Sequence, residues 1–166
     1  MTRDRPAGPQ ARRGRPMSIF APILASLLVT FAVAACAFLP ASIGARQVVL
    51  DAAPDMNDDS ALAVDLVFVR DAELAERLAE VPAREWFASR EQFQRDHPRN
   101  LEVLSFELVP GQRLPPVDVG DMRRGTREGI VFADYHGQGD HRAQFGHLPR
   151  AVVALGKETF TVQAPQ

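Results

Sequence analysis

The sequence predicts a mainly β domain: a sandwich of about seven short strands, interrupted by a two-helix insertion and preceded by a signal-peptide helix. Three observations lead there. Apolar and polar residues alternate with period two in several segments after residue 46, as strands with one buried face require. Between residues 71 and 97 the apolar spacing lengthens to that of helices. Residues 18 to 35 form an uncharged run that ends in small side chains just before Cys36, the only cysteine.

The N-terminal run, SIFAPILASLLVTFAVAA, follows a stretch carrying Arg3, Arg5, Arg12, Arg13 and Arg15. Basic residues, then an apolar segment, then small residues is the layout of a secretory signal peptide. Val33-Ala34-Ala35-Cys36 adds narrow side chains where a lipoprotein signal peptidase cuts beside a lipid-modified thiol. Residues 1–35 are therefore read as a lipoprotein signal peptide, with Cys36 as the lipidation site. Several acyl chains at about 0.8 kcal/mol per buried methylene hold a protein without a spanning helix. The run is also almost long enough to span a bilayer. Left uncleaved, it would still keep the arginines inside and residues 37 to 166 outside. Residue 37 is Ala and not Asp, which by resemblance to the bacterial lipoprotein sorting pattern favours passage to the outer membrane over retention at the inner one. Arg12-Arg13 lacks the bulky apolar pair of a twin-arginine signal, since Gly14-Arg15-Pro16 follows it.

Residues 36–45 form a short lipidated tether broken by Pro40 and Gly44, and residues 46–166 form the sandwich. Arg46 to Ala53 is a first strand, ended by Pro54. Ala61 to Arg70 is a second, with Leu62, Val64, Leu66 and Phe68 on one face. Asp71 caps a helix through Glu80, and Pro82 starts another running to about His97, whose stripe of Trp86, Phe87 and Phe93 faces the core. Asn100 to Val109 returns to alternation, with Leu104, Phe106 and Leu108 inward, and Pro110-Gly111 makes a turn. Gln112 to Val119 is an edge strand, because Pro115-Pro116 lack the amide protons a central strand donates. Gly120 to Thr126 is a polar loop. Glu128 to Tyr135 is a further strand, and Arg150 to Leu155 pairs with Glu158 to Gln163 across Gly156-Lys157.

Of the 19 Lys and Arg, five precede Met17, and of the 21 Asp and Glu only Asp4 does, which leaves 14 against 20 from Cys36 onward. A domain with net charge −6 is disfavoured as a nucleic-acid binder. With one cysteine, and that one lipidated, the domain has no disulfide and relies on packing.

Sites for chemistry are scarce. Asp55-Met56-Asn57-Asp58-Asp59-Ser60 opens like a calcium loop, but Ser60 stands where the glycine belongs and Leu66 where the bidentate glutamate belongs. The simpler reading is a solvated acidic loop between two strands, suited to a protein contact. Asp134, His136, Asp140, His141 and His147 fall within fourteen residues and invite a zinc site, yet glycines separate them and no HExxH helix is present. Ser42, Ser60, Ser89 and Ser105 lack a nucleophile elbow, and no glycine-rich phosphate loop occurs. No catalytic residue, cofactor or metal is assigned, and an enzyme is not expected.

The ordered features resemble the small outer-membrane lipoproteins of type VI secretion systems, the TssJ or VasD family. These are the lipobox cysteine, the loop Ala53-Pro54-Asp55-Met56-Asn57, the strand Asp65 to Arg70, the helical insertion with Trp86-Phe87, the segment Leu108 to Gln112, and the late strand Gly129 to Tyr135. His141-Arg142 stands where a Trp-Arg pair is common, which marks a divergent branch. The resemblance implies a transthyretin-like sandwich without enzymatic activity. It implies a tether for a trans-envelope complex, lipid-anchored at the outer membrane with its domain in the periplasm, that binds a TssM-like inner-membrane protein. In that family the first inter-strand loop contributes to the contact, and the matching residues here are Asp55, Met56, Asn57, Asp58 and Asp59. Two other readings are an envelope lipoprotein binding a small molecule or cell wall, and a metal-dependent periplasmic hydrolase.

Overall fold

The alternating segments pair into two four-stranded sheets in a computed structural model that describes residues 42–165; the signal-peptide segment, Cys36 and most of the tether lie outside the described residues. One sheet has the order β4-β1-β7-β8, formed by β1 (Gln47–Ala52), β4 (Val117–Asp118), β7 (Arg150–Leu155) and β8 (Phe160–Gln163). The other has the order β3-β2-β5-β6, formed by β2 (Leu62–Val69), β3 (Leu101–Leu108), β5 (Glu128–Ala133) and β6 (Arg142–Gln144). All neighbours are antiparallel except β1 and β7, which run parallel from Gln47 beside Arg150 to Ala52 beside Leu155.

Between the sheets lies a core built from β1 (Val48, Leu50, Ala52), β2 (Leu62, Val64, Leu66, Phe68), β5 (Val131, Ala133) and β7 (Ala151, Val153, Leu155). Phe145 closes it, edge-on to Phe68 at 5.7 Å. The helices α1 (Ala72–Glu80) and α2 (Ala83–Asp96) cover the opposite face of the second sheet, where Val67, Val69, Ile130, Phe132 and Leu101 form a second apolar cluster. Strands β2 and β5 are thus buried on both faces. That is why β2 reads as a nearly unbroken apolar run rather than a clean alternation.

Local chemistry sets the helices. The Asp71 carboxylate accepts from the Leu74 amide at 2.9 Å, capping α1, while Leu74, Ala75 and Leu78 face the sheet. Pro82 disfavours the helical region for the residue before it, so Val81 is extended and ends α1. Trp86 of α2 is fully buried, stacked on Phe132 at 4.9 Å and on Phe93 at 5.7 Å. The expectation that it is a core residue holds.

The segment Gln112 to Val119 forms less strand than its sequence suggests. Only Val117–Asp118 pairs with β1, and Arg113 makes a single bridge to Asp51, with Pro115-Pro116 between them. Conversely, Arg142–Gln144 is a strand within a stretch that reads as a glycine-rich loop. Among the described residues the sandwich therefore has eight strands, two of them very short.

The register fixes two ends. At one, the starts of β1, β5 and β7 meet the loops at 119–127 and 145–149; Gly44 donates to the Gly146 carbonyl at 2.7 Å, and Arg46 to that of Pro149 at 2.9 Å. At the other, the ends of β1, β3, β5 and β7 gather the loop at 53–61, the turn at 109–112, the loop at 134–141 and the β7–β8 turn.

Candidate partner-binding loop

The loop at 53–61 is held from within before it can face anything outside. Pro54 interrupts the ladder after Ala53, whose amide donates to Leu155 at 2.8 Å. The chain then turns so that Met56 is fully buried in the inter-sheet core. Asn57, Asp58 and Asp59 follow with φ of 50°, 52° and 60°, three successive left-handed residues without glycine. Asn and Asp tolerate this region better than other side chains. The acids at 58 and 59 therefore have a backbone reason for being there, apart from their charge.

Asn57 is only 2% exposed and ties three loops together. Its Nδ2 donates to the Ala61 carbonyl at 2.9 Å, its Oδ1 accepts from the His136 amide at 3.0 Å, and its own amide donates to the Gly156 carbonyl at 3.3 Å. Tyr135 supports the same junction: its hydroxyl lies 3.1 Å from the Gly156 carbonyl and 3.0 Å from that of Thr159. Burial pushes its phenol well above the usual tyrosine range. It stays neutral and serves as a donor.

Of the five loop residues singled out by sequence, Asp55, Asp58 and Asp59 are exposed, whereas Met56 and Asn57 point inward. The outward surface is thus three carboxylates, with the Lys157 ammonium 3.5 Å from Asp58. Sequence reading missed the structural part played by Asn57, Tyr135 and Lys157. An asparagine leading two aspartates was the available signal, because that order suits a left-handed turn.

The histidines do not converge. His136 and His141 flank the loop at 134–141, but β6 carries the chain along the sheet, and His147 lies against Gly44 at the other end. No group of three potential metal ligands forms among the described residues. A hollow of about 310 Å³ lies between Pro82–Arg84 and residues 133–141; Tyr135 and His141 line it with ring centroids 4.7 Å apart.

No family model matches the sequence, and no curated protein matches it. Solved structures do match the fold. The type VI secretion lipoprotein TssJ1 from Pseudomonas aeruginosa superimposes with a TM-score of 0.54 at 20% identity, over 74% of this chain and 98% of that one. Lip from Serratia marcescens, a membrane-bound component of the type VI secretion system, gives 0.50 at 17% identity over 74% and 99%. A chain of a type VI membrane complex gives 0.55 at 13% identity over 71% and 96%. Nearly the whole of each of these chains is therefore matched, and the domain described here has the fold of the type VI secretion lipoproteins.

Proposed function

We propose that this chain is a divergent member of that lipoprotein family. In this reading it is held by lipid on Cys36 at the periplasmic face of the outer membrane, and it tethers a type VI membrane complex by binding a large TssM-like inner-membrane component. The observation that carries the proposal is the match to nearly the full length of type VI lipoproteins, on a chain whose own sequence supplies the lipobox. The acidic loop supports it: Asp55, Asp58 and Asp59 project from a base fixed by Met56 and Asn57. A preformed loop loses little conformational freedom on binding, and its charge calls for a basic surface on the partner. The domain acts as a scaffold rather than an enzyme.

The test is purification of the full chain from cross-linked envelopes of its own cells. The expected result is recovery of type VI core components, lost when Asp55, Asp58 and Asp59 are neutralised together; recovery of none overturns the proposal. The hollow beside Tyr135 and His141 favours a second reading, a small-molecule carrier, since its volume is at the lower limit for ligand pockets.

A further inference from the structure

The end of the sandwich from which the tether leaves carries charge opposite in sign to that of the domain as a whole. Arg46, Arg124, Arg127 and Arg150 are exposed there beside His147, and Arg123 is half-buried. Arg70 and Arg99 lie at the same end, and five acids share it, Asp71, Glu102, Asp118, Asp121 and Glu128. Four of the acids are engaged: Asp71 accepts from the Leu74 amide at 2.9 Å, Asp118 from the Gly120 amide at 2.8 Å and Glu128 from the Gly129 amide at 2.9 Å, while Glu102 pairs with Arg70 at 2.7 Å. None of the first five arginines pairs with a carboxylate among the described residues. At the far end the balance reverses, with Asp51, Asp55, Asp58, Asp59, Glu107, Asp134, Asp140 and Glu158 against Arg84, Arg113, Arg142 and Lys157.

The arginine loop is bound to the chain that leads back to Cys36. Arg124 bridges Ser42, and the Arg123 Nε donates to the Ile43 carbonyl at 3.2 Å. Ser42 lies six residues after Cys36, and at about 3.3–3.6 Å per residue that stretch spans at most about 22 Å. A lipid on Cys36 would hold these guanidiniums close to a headgroup layer, where they attract negative charge and present bidentate donors to phosphate.

We infer that Arg46, Arg123, Arg124, Arg127 and Arg150 form a contact surface for anionic phospholipid headgroups, which stands the domain upright on the membrane with its acidic loop directed away. The inference rests on the lipid-anchored reading above. It adds an orientation that a lipid anchor alone does not supply.

The test uses the full chain purified from membranes and reconstituted in vesicles of phosphatidylcholine alone or mixed with phosphatidylglycerol. Amide exchange is followed in segments 119–127 and 146–150. Exchange should slow severalfold in the mixed vesicles only, and high salt should abolish the difference. The combined Arg124→Glu, Arg127→Glu and Arg150→Glu variant should lose it while still floating with neutral vesicles; slow exchange in β2 shows that the variant is folded, and the corresponding glutamine variant should give the same loss. Equal exchange in the two vesicle types overturns the inference. A chain that fails to float with neutral vesicles overturns the lipid anchor instead, and slowed exchange on anionic vesicles would then still support the arginine surface.

Discussion

The indole Nε1 of Trp86 donates to the carboxylate of Asp65 at 2.9 Å in a place where both residues are fully buried. Asp65 projects from β2 toward the helices, and Arg90 reaches it at 3.2 Å from the next turn of α2. One buried carboxylate thus fixes α2 at a single position on an otherwise apolar sheet face. Trp86→Phe keeps the ring stack but removes the donor, and should destabilise by about 1–3 kcal/mol. Asp65→Ala leaves the indole and Arg90 unpaired and should cost at least as much. Denaturant midpoints of the single and double variants measure the coupling, and additive losses would show that the two side chains act independently.

Asn57→Ala should destabilise by about 1–3 kcal/mol, because it strips the partners of the Ala61 carbonyl and the His136 amide and places alanine in a left-handed conformation. The effect should be local as well as global. Amide exchange at His136 should rise more than exchange in β2; unchanged exchange at His136 would refute the junction described for Asn57.

Replacing Asp55, Asp58 and Asp59 with asparagine removes the charge while keeping the left-handed tolerance at 58 and 59. Fold stability should change by no more than about 0.5 kcal/mol. Binding to the proposed basic partner should weaken, and its dependence on salt should flatten. Calorimetry at two salt concentrations checks this, and a loss of affinity that leaves the salt dependence intact would point to shape rather than charge.

On the acid side of the pH profile, Asp51 is a contributor. The hydrogen bond from Arg113 holds the Asp51 carboxyl below its ordinary value. The folded state therefore binds that proton less readily than the unfolded one. Its contribution is fully present above the ordinary aspartate pKa of about 4 and is lost as pH falls through the lower folded value. Arg113→Gln should flatten the thermal midpoint below that pH and leave it nearly unchanged at neutrality, where an exposed pair contributes little.

Cys36→Ser should release the domain from the membrane fraction without altering its melting temperature, since the described core contains nothing from that segment. Fractionation together with a melt of the released domain measures both. Persistence of the variant in the membrane would show that the apolar N-terminal run anchors it uncleaved.

Strand positions were legible in the sequence wherever one face meets the core. The first two strands, the β3 segment and the closing hairpin fall within a residue or two of their alternation patterns. Arg142–Gln144 was not legible, because three residues carry no period and the pairing is supplied entirely by β5. The site was half legible. A run of acids announces a loop, but only the packing separates Asp58, which faces out, from Met56, which fills a core position. The arginine end was the least legible, since its members are scattered from residue 46 to residue 150 and only the register gathers them.

The parallel pairing of β1 with β7 joins segments roughly a hundred residues apart, and contacts so distant in sequence form late. The first strand to leave a ribosome or a translocation channel must wait for almost the last before its sheet can close. The sheet that carries β1 therefore gains its full pairing only once the last part of the domain is available, so an incomplete chain cannot close it.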